Sequence, residues 1–271
     1  MKRFTKKQRP VGQSLPRRPR QPRAVVEYIY GKHAVLEAAT QRPEVIREIH
    51  IAPGFTDSAY LDALLSVAPV SPKGLNPKNP PRGISSNAPH QGVVAGIVPE
   101  RLSVPYADFI ATVTPGAGTA LLVLGEVQDP HNVGAVIRSA AAFGFAGVLI
   151  PPHNQAPITG TVVKVSAGMA FRIPLVAIGN VNTTLRDLKD RGFWIYGLEG
   201  GGTARSTTEQ FTHPVAFVLG NEGEGLREKT RELCDECIAI PIHPRCESLN
   251  AAAAAAVVMA SWSAQHPEAL A

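Results

Sequence analysis

QDPHNVGAVIRSAAAFG, residues 128–144, follows directly on the apolar run ALLVLG at 120–125. A short apolar run closed by glycine reads as a buried strand, and the segment after it reads as a loop opening a helix. In a doubly wound sheet this is the place of the phosphate loop of a dinucleotide site, yet no G-x-G-x-x-G is present. The loop offers instead Asp129, Pro130, His131 and Asn132. The helix then carries a single arginine, Arg138, on an otherwise apolar face.

Working outward, the same alternation continues to the end of the chain. Strands are expected at GVLI (147–150), PLVAI (174–178), WIYGL (194–198), VAFVLG (215–220) and CIAIP (237–241). Helices are expected near 132–143, 160–170, 182–191, 225–234 and 248–265. Continuous apolar strands separated by helical crossovers imply a parallel sheet with helices on both faces. Ligands of such sheets bind at the carboxyl ends of the strands. The loops at 125–132, 198–203, 220–225 and 241–248 are therefore the places to look.

Upstream, VVEYIYGKHAVLEAA (25–39) reads as a strand, a turn at Gly31 and a helix with Ala34, Leu36, Ala38 and Ala39 inward. IREIHIAP (46–53) alternates as a strand, SAYLDALLSVA (58–68) as a helix, and HQGVVAGIVP (90–99) as a further strand. Between them, 69–91 holds Pro72, Pro77, Pro80, Pro81 and Pro89, the composition of a loop. Residues 24–98 thus form a small α/β module. Residues 99–118, with Pro99, Pro105, Pro115, Gly116 and Gly118, read as a linker that includes a short helix near 106–112. Residues 119–271 form the larger domain.

The formal net charge of +5 is unevenly placed. Residues 1–23 hold nine of the 27 Lys and Arg side chains and no acid, so the other 248 residues carry 18 basic against 22 acidic groups. With four prolines and little to bury, that segment reads as a disordered cationic arm suited to a polyanion, or else as a solvated tail. It is Pro-rich where a transit peptide would be amphipathic and Ser-rich. No apolar stretch reaches the ~20 residues of a membrane span. Three cysteines and no secretory signal point to a reducing, cytoplasmic setting.

Two later loops carry patterns that go with the first: VLGNEGEGL (218–226) and IPIHPRCESLNAA (240–252). In this order and spacing, with VVKVSAGMAFRIPL (162–175) between the first and second, the three resemble the motifs of the SpoU (TrmH-like) RNA 2′-O-ribose methyltransferases of the knotted SPOUT superfamily. The upstream YGKHAVLEAA and HQGVVA resemble the ribosomal-protein-L30-like substrate-binding domain of the branch that modifies guanosine in large-subunit rRNA. The resemblance implies a C-terminal deep trefoil knot, S-adenosylmethionine bound in it, an RNA substrate and a homodimer, with no metal. The small side chains of SLNAAAAAAVVMA are compatible with a helix passing close to backbone, and equally with an ordinary Ala-rich helix.

Methyl transfer to a ribose hydroxyl is an in-line displacement in which positioning does much of the work and the hydroxyl must lose its proton. Arg138 suits the grip on a ribose phosphate, since its planar fork binds phosphate bidentately. Its guanidinium has no acceptor and stays charged, which favours orientation and charge stabilisation over a role as base. Asn132 is expected to start the helix and tether the loop. Glu222, in Gly220-x-Glu222-x-x-Gly225, is expected to anchor Asn132 or Arg138, or to take the proton. Ser248 and Asn250 are expected to begin the last helix and point into the site, with Ser248 equally readable as an N-cap only. By resemblance, backbone groups at Gly220, Ile240 and Leu249, together with Leu198, hold the cofactor. Two departures bear on that pocket: Ala251–Ala256 where the family often has Val-Ser, and Arg245 and Cys246 where smaller residues are usual.

Cys234-x2-Cys237, with His243 and Cys246 beyond, has the ligand types of a zinc site but not the two separated pairs of a structural one. Cys234 is expected to end a helix and Cys237 to begin a strand, pointing apart. Three other functions are compatible with parts of the pattern. One is a tRNA 2′-O-methyltransferase. Another is a catalytically silent RNA-binding assembly factor of the same fold, which the five polar residues oppose. The third is a dinucleotide-dependent oxidoreductase, for which GLEGGG and GNEGEG come too late in the sheet.

Overall fold

The computed structural model describes residues 25–76, 80–81, 83–85 and 88–271. The basic arm expected over 1–23 lies outside these residues.

The first unit is built from β1 (Glu27–Tyr30), α1 (Lys32–Gln41), β2 (Ile46–Ile51), α2 (Ser58–Val67), β3 (Lys73–Gly74) and β4 (Val93–Ile97). The strands form one sheet in the order β1-β4-β2-β3, antiparallel except for β2 with β3. Helix α1 buries Val35, Ala38 and Ala39, while Ala34 and Leu36 are only half-buried against the same core. The inward stripe is therefore turned by one position from the expected one. Asp57 caps α2 by accepting from Tyr60 N at 3.0 Å, as a short acceptor before a helix should.

The second unit contains β5 (Ser103–Pro105), α3 (Tyr106–Ile110), β6 (Ala120–Leu124), α4 (Pro130–Ala142), β7 (Gly147–Ile150), α5 (Gly160–Val165) and β8 (Leu175–Ala177). It continues with α6 (Val181–Asp190), β9 (Trp194–Leu198), β10 (Ala204–Arg205), β11 (Val215–Leu219), α7 (Glu228–Arg231), β12 (Glu236–Ala239) and α8 (Ala251–Ser263). The eight strands lie in the order β10-β12-β9-β11-β6-β7-β8-β5, and every pairing is parallel.

Both faces are covered, which is why the strands are apolar throughout. Leu122, Leu124, Phe217 and Leu219 join one core, with Val133, Val136 and Ile137 of α4 and Val258, Met259 and Trp262 of α8. Leu121, Val123, Ala216 and Val218 join the other, with Phe109 and Ile110 of α3 and Leu185 and Leu188 of α6. Trp262 is fully buried against Phe145, with ring centroids 5.1 Å apart, and so pins α8 to the sheet. Each fully buried side chain of this size contributes roughly 1.5–3 kcal/mol.

Several element limits differ from the sequence reading. The helix expected over 160–170 stops at Val165, because Ala167 and Gly168 take φ of 52° and 83° and reverse the chain. The helix expected over 225–234 is only the four residues of α7, since Gly225 has φ 70° and Arg227 is extended. Residues 99–118 are not merely a connection: β5 pairs with β8 at the sheet edge and α3 packs beneath it. Strands β3, β5 and β10 have two or three residues each, too few to show a period.

Candidate functional site

The loops after β6, β9, β11 and β12 meet at the carboxyl ends of adjacent strands. Helix α4 begins at Pro130, capped by Asp129, whose carboxylate accepts from His131 N at 2.8 Å. Proline at the first helical position suits that start. Asn132 therefore lies inside the first turn rather than starting the helix. Its side chain is turned inward, with 8% of its surface exposed.

That burial is balanced by hydrogen bonds on both ends of the amide. Asn132 Nδ2 donates to Glu222 Oε1 at 3.1 Å, and Asn132 Oδ1 accepts from Asn250 Nδ2 at 2.8 Å. Glu222 also accepts from Gln128 N and Asp129 N, both at 3.2 Å. Desolvation pushes the Glu222 pKa up, but the bonds from Asn132 and from the backbone of Gln128 and Asp129 outweigh it, so its carboxyl sits below the usual value. Glu222 is thus an anion with its oxygens engaged, tying the 128–132 loop to the loop after β11.

The loop carrying Glu222 is itself closed on its own backbone. Asn221 N donates to Gly225 O and Gly225 N to Asn221 O, at 2.9 and 3.0 Å. A Cβ on Gly220 would stand 2.4 Å from the Gly225 carbonyl carbon, so glycine is required for the approach. Asn250 is the cap of α8: its Oδ1 accepts from Ala252 N and Ala253 N at 2.9 and 3.1 Å. The last helix starts at Ala251, not at 248, and Ser248 makes no cap. One asparagine therefore fixes the helix and, through its amide nitrogen, reaches Asn132.

Beside this cluster is a cavity of about 370 Å³, within the ~300–1,000 Å³ usual for small-molecule sites. Leu198, Gly220, Ile240, Leu249, Ser248 and Glu222 all line it. So do Cys246 and Ala254, both within the departures noted for that pocket, and residues the sequence reading did not single out: Glu199, Leu219, Ile238 and Val258. Leu219 and Ile238 sit at or next to the ends of strands already expected, and Ala254 is one helical turn after Asn250, so strand ends and helix spacing could have found them. Apolar walls suit a flat base, and Glu199 and Glu247 add carboxylates for hydroxyl or cationic groups. The residues present fit S-adenosylmethionine.

Arg138 is the exception. It is exposed on α4, its side chain makes no hydrogen bond or ion pair among the described residues, and it does not line the cavity. Six residues along a helix amount to about 9 Å of rise and about one and two-thirds turns, which puts Arg138 about 120° around the helix from Asn132. The sequence pattern puts both residues on one helix but does not bring them together.

The cysteines do not point apart. A Cβ on Gly197 would stand 3.0 Å from Cys234 Sγ and 3.3 Å from Cys237 Sγ, so both thiols converge on that glycine. Burial pushes the Cys234 thiol up to about 12, and burial with the nearby Glu199 carboxylate also raises Cys237. Among the described residues no group of three or more His, Cys, Asp or Glu is arranged to hold a metal ion. Nor, among them, is any helix long and apolar enough to cross a membrane.

Residues 119–260 match the SpoU rRNA Methylase family, and residues 28–102 match the family described as RNA 2′-O ribose methyltransferase substrate binding. The chain is 35% identical over 240 residues to the 23S rRNA (guanosine-2′-O-)-methyltransferase RlmB of Vibrio vulnificus, covering 86% of this chain and 94% of that protein. It is 36% identical over 258 residues to an uncharacterized tRNA/rRNA methyltransferase of Mycobacterium avium, covering 93% of this chain and 82% of the other. Its fold is similar to that of the SpoU methyltransferase AviRb from Streptomyces viridochromogenes, solved with the cofactor AdoMet, with TM-score 0.73 at 22% identity over 89% of this chain and 90% of that one.

Proposed function

The chain belongs to the SpoU rRNA methylase family, and on that premise we propose that it methylates the ribose 2′-hydroxyl of a guanosine in 23S rRNA, using S-adenosylmethionine. The observation that carries this reading is the Asn250–Asn132–Glu222 chain of hydrogen bonds, which joins three distant loops at the lip of the 370 Å³ cavity. S-adenosylmethionine supplies an activated methyl group; the rest of the work falls to the chain. Leu198, Ile240 and Leu249 with the backbone of Gly220 hold the adenosine. Asn132, Asn250 and Ser248 orient the RNA sugar at the cavity lip. Glu222 keeps the loop carrying Asn132 in place and is tied up as an acceptor, so the proton of the hydroxyl leaves to RNA phosphate or water. Arg138 grips the phosphate next to the reacting ribose and stabilises charge there.

The first unit, residues 28–102, and the basic arm hold structured RNA, with the target nucleotide splayed into the site, since single-stranded RNA exposes sugar and base edges that a duplex hides. The protein acts in the cytoplasm as a homodimer without metal, and its C-terminal segment is knotted. Support for the second copy comes from Arg138, which stands clear of the cavity within one chain, and from the exposed Ala253 and Val257 on α8. The experiment is to map ribose methylations on total RNA from cells with and without the protein, alongside calorimetry with S-adenosylmethionine. Loss of one 23S guanosine 2′-O-methyl group is expected. An unchanged map, with no heat of cofactor binding, rejects the reading in favour of a silent RNA-binding factor.

A further inference from the structure

The two units are fastened together at two separate places. On one side, the connection from β4 to β5 is pinned: Arg42 Nη2 donates to the carbonyls of Arg101 and Leu102 at 2.9 and 3.2 Å, and Arg101 Nη1 donates to Glu44 O at 2.8 Å. Leu102 between them is fully buried. On the other side, β1 and α1 meet the segment from α5 to Arg172. Lys164 Nζ donates to Tyr30 Oη at 2.8 Å and lies 5.0 Å from the centroid of that ring. Arg172 grips Glu37 with both arms of its fork, Nε to Oε1 at 2.5 Å and Nη2 to Oε2 at 3.1 Å. Between these, Gly160 N donates to Glu27 Oε2 at 3.4 Å. Beneath the polar contacts the buried core is continuous from Ile29, Val35 and Ala38 to Val162, Ala170 and Phe171.

Units joined by a small polar interface move against each other by default. A unit fixed at both ends of one face, over a shared core, does not. The segment that receives these contacts also touches the site, because α5 packs directly on α4: a Cβ on Gly134, two residues after Asn132, would stand 2.7 Å from Val165 Cβ. The span from the first unit to the cavity lip is thereby set by the protein and not by the RNA.

Resting on the proposed function, we infer that Tyr30–Lys164 and Glu37–Arg172 are positioning contacts that select which ribose is methylated, by holding the substrate-binding unit at a fixed distance and angle from the catalytic cavity. Exposed contacts of this kind contribute little to stability, so their effect is in geometry. The chemistry is sensitive to that geometry, since a displacement of about 1 Å at a reacting centre lowers a rate by about 100-fold.

The test uses the full chain with an unmethylated rRNA fragment that carries the target nucleotide. Arg172→Glu and Glu37→Arg are made singly and together, with Lys164→Ala as an independent break. Cofactor affinity by calorimetry and fragment affinity by filter binding should stay within about threefold. For the single variants, kcat should fall about 10- to 100-fold and methyl groups should appear on neighbouring riboses; the charge-swapped pair should recover both rate and single-site product. Arg172→Glu and Lys164→Ala variants that methylate one nucleotide at the wild-type rate overturn the inference, as does a swapped pair no better than either single variant. A wild-type chain that transfers no methyl group to RNA removes the proposed function and this inference with it, whereas a fully active wild type with indifferent variants removes this inference alone.

Discussion

Replacing Glu222 by glutamine separates a tether from a base. The carboxylate accepts from Gln128 N, Asp129 N and Asn132 Nδ2. A glutamine has one acceptor oxygen and one donor group in the same space. Its better orientation keeps the two bonds at the Oε1 position and turns an NH2 toward Gln128 N, donor against donor. A bond to a charged acceptor contributes about 1.5–3 kcal/mol when buried, and Glu222 is largely exposed, so about 1–2 kcal/mol is the expected loss. For a chain of this size that is a fall in melting temperature of about 3–6 °C. The pH dependence has a definite sign. Because the folded carboxyl sits below its ordinary 4.5, it stabilises the fold above that value and ceases to as pH falls through the folded value. Wild type and Glu222→Gln should therefore differ in scanning calorimetry at pH 7 and converge as the pH falls below 4.5 and through the lower folded value. Residual methyl transfer in the variant should keep the wild-type pH profile between pH 6 and 8. A variant with the wild-type melting temperature but no transfer at all would refute the tether and make the carboxylate a chemical partner.

Three further outcomes follow from the same geometry. Gly134→Val places methyl groups where Val165 and the Val162 carbonyl already stand within 3 Å of the Cβ position, so thermal melts should show a loss of about 1–3 kcal/mol from overpacking; an unchanged melt would mean α4 and α5 do not touch there. Ala254→Phe fills the cavity from a half-exposed helix position, so calorimetry should show cofactor binding lost while the circular dichroism spectrum is kept; retained binding would move the cofactor elsewhere. Arg138→Ala removes an exposed side chain without partners among the described residues, so the melting temperature should move by no more than about 1 °C and cofactor affinity by a few-fold while methyl transfer is abolished; undiminished turnover would take Arg138 out of the mechanism.

The parallel sheet was legible because its strands are buried on both faces and so read as continuous apolar runs. Leu121 and Leu122 go to opposite cores, and both had to be apolar. The ends of the helices were less legible because caps, not periodicity, decide them. Asn250 and Ser248 look alike as cap residues, and only the bonds to Ala252 N and Ala253 N choose between them. Strand β5 is invisible in sequence: three residues ending in proline have no alternation to show, and their place at the sheet edge depends on β8. The thiols were misread for a related reason. The direction of Cys234 and Cys237 is set by their shared neighbour on β9, Gly197, which lies 37 residues from the first of them.

The polar residues of the site divide by what a single chain can satisfy. Asn132 is buried, and a buried amide without partners would cost about 1–3 kcal/mol. Its partners therefore had to be supplied within the fold, and Glu222 and Asn250 supply them. Arg138 lies on the exposed side of the same helix, where water satisfies its five donors at no cost to folding. Nothing in the monomer's stability requires it to be arginine. On the proposed function, a residue type that folding leaves free, on the helix that carries the buried node of the site, answers to the RNA phosphate that arrives later. On that proposal the loop cluster and Arg138 belong to different stages, the first complete when the chain folds and the second only when the substrate is bound.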